Sequence, residues 1–215
     1  MPSDPTAAAS PSAGLLPPDA AGVIDARLRD AIALKRAVLD DGTLLRRTRD
    51  AAARCVAALR AGGQVYWCGN GGSAADAQHL AAELTGRFYY DRAPLASEAL
   101  HVNTSYLTAV ANDYGYDEVY ARLLRGSARV GDVLIGLSTS GTSRNVVQAM
   151  AAAREVGVVT VAFTGRGGGA MAELADVLID VPSDDTPRIQ EVHMHLGHSL
   201  CELVESAMFP RQAPR

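Results

Sequence analysis

Short apolar runs alternate with helical patterns along most of this chain, and few folds accommodate that alternation. The runs lie at 65–68, 99–102, 133–137, 158–163 and 177–181, each too short to be a buried helix. Between them, apolar residues recur at helical spacing over 73–85, 104–111, 117–125, 143–156 and 169–174. Strands joined through helices run parallel, and a parallel sheet is covered on both faces. The predicted architecture is therefore a doubly wound α/β sheet of flavodoxin-like type. Two helices precede the first strand, marked by Val23, Leu28, Ile32, Val38 and Leu39 and then by Leu44, Leu45, Ala52, Cys55, Val56 and Leu59. A long helix closes the chain, opening near Pro187 and carrying Ile189, Val192, Leu196, Leu200, Leu203 and Val204 towards Phe209.

At 215 residues the expected organisation is one domain over 21–215 behind a disordered tail over 1–20, which is rich in Ala, Ser and Pro. The net charge of −4 offers no general attraction to nucleic acid or to an acidic membrane. A phosphate must then be recognised locally, which suits a small phosphorylated metabolite. No apolar segment is long enough to span a bilayer and no secretory leader is evident, so a cytoplasmic location is expected. Cys55, Cys68 and Cys201 are scattered and odd in number, which argues against a disulfide framework or a thiolate zinc site. Lys35 is the only lysine, so the glycine-rich region holds neither a Walker-type loop nor a Schiff-base lysine.

Two polar loops occupy equivalent places, each between a strand and a helix. Cys68-Gly69-Asn70-Gly71-Gly72-Ser73 follows the first apolar run; its glycines permit a tight turn, and Ser73 is a favoured N-cap. Ser138-Thr139-Ser140-Gly141-Thr142-Ser143 follows the third. Hydroxyls and free helix N-terminal amides can bind a phosphate monoester without lysine, beyond the carboxyl ends of the strands. A Ser/Thr run also serves simply as turn and cap, and recurrence of the design at two strand ends is what favours a ligand. The Gly-x-Gly-x-x-Gly spacing is broken at Ala74, so no nucleotide cofactor is expected. His79 and Glu83, four apart on the helix after the first loop, share one face, as a metal or sugar site or as an ordinary surface pair. The last helix adds Gln190, Glu191, His193, His195, His198 and Glu202 to an apolar pattern. A neutral imidazole there is a candidate proton shuttle or metal ligand, with His193 and His195 read as packing or solvent residues.

With these residues in view, the chain resembles the sugar isomerase (SIS) superfamily and, within it, the phosphoheptose isomerases, over nearly everything after the tail. The motifs that carry the resemblance are Cys68 to Ser73, Gln78-His79, Ala82-Glu83-Leu84-Thr85-Gly86-Arg87, Ala111-Asn112-Asp113, Ser138 to Gly141, Thr164-Gly165 and Arg188-Ile189-Gln190-Glu191. The resemblance implies a five-stranded parallel sheet and a homotetramer with active sites between subunits. It implies conversion of sedoheptulose 7-phosphate to D-glycero-D-manno-heptopyranose 7-phosphate, the first step of nucleotide-activated heptose biosynthesis. It also implies substrate contacts from Asn70, Gly71, Gly72, Ser73, Arg87, Asn112, Asp113, Ser138, Thr139, Ser140, Ser143 and Gln190, with Glu83 and His198 as the acid/base pair. Some relatives bind Zn2+ through residues matching His79, Glu83, Gln190 and His198, all present here. Gln190 and His198 are about 12 Å apart along a regular helix. One zinc on all four therefore requires irregular backbone near Gln190 or a second subunit. The chain departs from many relatives at Thr142 and at Ala74-Ala75, neither of which removes the reaction. The competing reading is a non-catalytic SIS protein that senses a sugar phosphate or binds a replication initiator; a third is isomerisation of a different sugar phosphate.

Overall fold

The computed structural model describes residues 15–17 and 19–211. The tail expected over 1–20 therefore lies mostly outside the described residues. Helices α1 (Ala20–Asp41) and α2 (Thr43–Arg60) lead into β1 (Val65–Cys68), α3 (Gly72–Thr85), β2 (Ser97–Ala99), α4 (Thr104–Tyr114), α5 (Val119–Ser127) and β3 (Val133–Ser138). Helix α6 (Arg144–Val156), β4 (Val159–Thr164), β5 (Val177–Asp180) and α7 (Thr186–Met208) complete the order. The five strands are parallel throughout in the order β2-β1-β3-β4-β5. Strand order reverses between β1 and β3, and the loops leaving these two strands are the polar loops singled out above.

Period-2 alternation explains the two cores. Val65, Trp67, Val133, Ile135, Leu137, Val161 and Phe163 pack against α2, α3 and α7 on one face. Tyr66, Cys68, Leu134 and Ala162 pack against α4, α5 and α6 on the other. The inner strands β1, β3 and β4 are buried on both sides, which is why they read as predominantly apolar runs.

Three expectations need correction. The second strand ends at Ala99 instead of starting there, because the chain must turn into α4, whose N-cap Asn103 accepts a hydrogen bond from the Tyr106 amide at 3.0 Å. Its true start was hidden by Ser97, a buried polar residue whose hydroxyl accepts from the Trp67 indole at 2.8 Å. The segment Gly169–Leu174 is a 3₁₀ helix, not an α-helix, and another 3₁₀ turn, Tyr116–Glu118, precedes α5. Finally, Ser73 does not cap α3: Gly71 holds the N-cap position and Ser73 is buried inside the first turn.

Candidate active site

Helices α3 and α7 lie side by side and run in the same direction, so residues on one meet residues about 118 positions later on the other. They pack tightly at Gly197, where a Cβ would stand 2.5 Å from Leu80 Cδ1. A glycine in a helix interior costs about 0.5–1 kcal/mol relative to alanine, and here it lets α7 close onto α3. The next residue, His198, thereby reaches His79: their Nε2 atoms are 3.0 Å apart, and His79 Nε2 is also 3.0 Å from Glu83 Oε1. Ligand atoms of His79, Glu83 and His198 all lie within 4.8 Å of one another. Two imidazole nitrogens and a carboxylate converging in this way match the donor set of a catalytic zinc site with three protein ligands. Burial, and then the neighbouring His79, lower the His198 pKa against the opposing pull of Glu83, so its imidazole is neutral at neutral pH.

Gln190 is not in this group. It stands in the second turn of α7, and its amide Nε2 would lie 2.7 Å from a Cβ on Gly72, at the opposite end of α3 from Glu83. Within one protomer, then, three of the four residues matched to zinc ligands come together and the fourth is apart. His193 is fully buried, and its Nε2 donates to the Thr164 carbonyl at 3.0 Å. Burial outweighs that hydrogen bond and pushes its pKa down to about 4, so it is a neutral packing residue. All three cysteines are buried and free, and burial pushes Cys55 and Cys68 up to about 12, leaving them protonated.

At the β1 end of the sheet, Asn70 and Asn145 form a reciprocal amide pair, each Nδ2 donating to the other's Oδ1 at 2.8 Å. Tyr116 also donates to Asn70 Oδ1 at 3.2 Å, and the Tyr120 hydroxyl donates to the Gly69 carbonyl at 2.6 Å. One amide hydrogen of Asn70 remains to face a ligand. Asn145 was not singled out from the sequence; it is a buried asparagine in the first turn of α6.

At the β3 end, Ser138 Oγ lies 2.8 Å from Ser143 Oγ and 3.4 Å from Ser140 Oγ. Ser143 occupies the N-cap position of α6, yet its hydroxyl does not cap the helix. The first intrahelical bond of α6 is from the Val147 amide to Ser143 O, so the amides of Arg144 and Asn145 have no helical acceptor. Simple capping therefore does not account for this loop, and a cluster of hydroxyls beside free amides suits an anion. Gly141 is required by both conformation and space: its φ is +66°, and a Cβ would fall 2.1 Å from the Gly168 carbonyl oxygen. Thr139 braces the same loop through its carbonyl, which accepts the Gly165 amide at 2.9 Å. Arg87 lies exposed just past α3, and Asn112 and Asp113 lie exposed near the end of α4, where Asn112 Nδ2 donates to Asp113 Oδ1 at 2.8 Å.

The family model for the SIS domain matches residues 33–165. A phosphoheptose isomerase of Mycobacterium tuberculosis is 58% identical over 184 residues, covering 85% of this chain and 94% of that protein. This chain belongs to the SIS domain family and, within it, to the phosphoheptose isomerases. A relative of the same name from Rhodospirillum rubrum is 58% identical over 74% of the chain and 85% of its own length. Among solved structures, the phosphoheptose isomerase from Neisseria gonorrhoeae superposes with a TM-score of 0.81 at 43% identity, covering 86% of this chain and 98% of that one. The one from Francisella tularensis gives 0.82 at 32% identity, covering 86% and 97%.

Proposed function

We propose that this chain interconverts sedoheptulose 7-phosphate and D-glycero-D-manno-heptopyranose 7-phosphate through a cis-enediol, at the entry to nucleotide-activated heptose synthesis. The observation that carries the reading is the convergence of Glu83 and His198 in a chain 58% identical to phosphoheptose isomerases. A non-catalytic sensor has no need of paired proton-transfer groups.

In the ketose-to-aldose direction, the Glu83 carboxylate takes a proton from C1 while His198 delivers one to the carbonyl oxygen on C2, giving the enediol. The proton on O1 then passes to His198, restoring its neutral imidazole, and Glu83 returns its proton to C2, which completes the aldose with no net gain or loss of protons. His198 also serves the opening and closing of the sugar ring. Ser138, Thr139, Ser140 and Ser143, with the first amides of α6, hold the phosphate. Asn70, Gly71, Gly72, Ser73, Arg87, Asn112, Asp113 and Gln190 contact the sugar.

His79, Glu83 and His198 fit Zn2+ by their donor set, and Gln190 joins them as a ligand only if a second subunit supplies it. When bound, zinc supplies Lewis acidity towards the oxygens on C1 and C2. Chain incubated with sedoheptulose 7-phosphate is expected to form the aldoheptose phosphate. Dialysis against a chelator should remove that activity and zinc should restore it. Full activity in metal-free protein would remove the metal from this reading, and binding of substrate without turnover would favour the sensor.

The reading includes one SIS domain over 21–215, a cytoplasmic location, and a homotetramer with active sites between subunits. Among the described residues no helix is long and apolar enough to cross a membrane. Helix α1 leaves Val23, Ile24, Leu28 and Ile32 52–64% exposed, an apolar surface suited to a second copy of the chain. The mass in solution, measured by light scattering, should be that of a tetramer, and a monomeric, fully active species would overturn the interfacial site.

A further inference from the structure

A buried ion pair stands behind Glu83 and His198 and touches the backbone of one and the ring platform of the other. Glu205, on α7 beyond His198, pairs with Arg92 at 3.0 Å, their side chains only 1% and 2% exposed. Arg92 Nη2 donates to the Glu83 carbonyl at 2.8 Å, while Nη1 donates to the carbonyls of Leu84 at 2.7 Å and Gly86 at 2.9 Å. A cation therefore fills the C-terminus of α3, where the last carbonyls have no helical partners. The Glu205 carboxylate in turn accepts the amides of Phe88 at 2.9 Å and Tyr89 at 2.8 Å. Clamped through its main chain, Phe88 lays its ring on the His198 imidazole, with centroids 5.6 Å apart and planes 26° from parallel.

We propose that Phe88 is a positioning residue for the isomerisation, its ring held by the Glu205–Arg92 clamp so that the His198 imidazole keeps its plane beside His79 and Glu83. The inference rests on the assignment of Glu83 and His198 as the acid/base pair and deepens it. His198 is only half-buried, and an imidazole free to turn about two bonds spends little time in one proton-transfer geometry. The aromatic wall restricts that freedom. Arg92 fixes the main chain of Glu83 from the same point, so both proton-transfer residues are referred to one buried pair.

The test uses the full chain. Phe88→Leu keeps an apolar side chain and removes the flat ring; it should lower kcat about 10- to 100-fold while KM and competitive inhibition by inorganic phosphate stay as in the parent. Phe88→Tyr restores the ring and should restore kcat. If Phe88→Leu does not yield a folded oligomer, Phe88→Met carries the same expectation. An unchanged kcat in the ring-less variant overturns the proposal. So does a loss that extends equally to KM and phosphate inhibition, or one that tyrosine does not relieve, since either marks a merely structural contact. The underlying assignment is judged separately: normal turnover in Glu83→Gln or His198→Asn overturns that assignment, whereas inactivity of both beside a fully active Phe88→Leu overturns only the role of Phe88.

Discussion

Glu83→Gln is expected to lower kcat for sedoheptulose 7-phosphate by about 10²- to 10⁴-fold, with the oligomer intact and KM little altered. The amide has the shape of the carboxylate and keeps an oxygen for His79, but it cannot accept a proton from carbon. His198→Asn should do comparable damage, because the enediol oxygens then lose their proton donor. The check is the rate of substrate loss together with the mass and melting midpoint of each variant. Turnover within a few-fold of the parent in either variant would sink the assignment of that residue. A variant that is slow because it has unfolded would be recognised by its mass and midpoint and would not count in favour.

The largest effect on stability is expected from Arg92→Met. Removing one partner of a buried pair leaves the Glu205 carboxylate uncompensated, which costs about 3–5 kcal/mol, and it also strips the C-terminus of α3 of its cation. Urea unfolding of the two proteins should report the difference, and a loss below about 1 kcal/mol, as for an exposed pair, would contradict the burial argument. The pH dependence has a definite sign. Burial raises the Glu205 carboxyl, but the Phe88 and Tyr89 amides and Arg92 outweigh it, so its folded pKa lies below the ordinary value. A depressed carboxyl contributes stability that is fully present above the unfolded pKa of about 4.3 and is lost as pH falls through the folded value. The parent should therefore lose stability on acidification more steeply than Arg92→Met, whose folded carboxyl has lost part of the interaction that lowers it.

Much of the fold was legible because its determinants are local. Four apolar runs lie within a residue or two of the strands they predicted, since strands buried mostly on both faces carry few polar positions to obscure them. The edge strand was misplaced because its inward-facing residue is Ser97, whose partner is the indole of Trp67, a contact no linear pattern announces. Ser73 was misread as a cap because the preference for serine there is statistical, whereas the backbone turns through Gly71 at φ +55°. The candidate site was legible as residue types on helix faces: His79 and Glu83 on one, His198 on another. Asn145, Phe88, Arg92 and Glu205 were not, since each acts through a partner far away in sequence. Gly197 alone left a signal, a glycine inside a long helix directly before a histidine.

The sequence by itself determined the alternation of strand and helix, hence a parallel sheet, and the two polar loops that must emerge at its carboxyl edge. It also excluded, through the absence of lysine from both loops, a Walker-type phosphate loop or a Schiff-base lysine there. Only the tertiary structure decided which of the predicted residues meet. It joined His79, Glu83 and His198 because α3 and α7 close at Gly197, and it left Gln190 beside Gly72 because a regular helix separates residues eight apart by about 12 Å. Periodicity is a property of neighbours along the chain, whereas a site is a property of distances between helices, and those follow from how side chains pack.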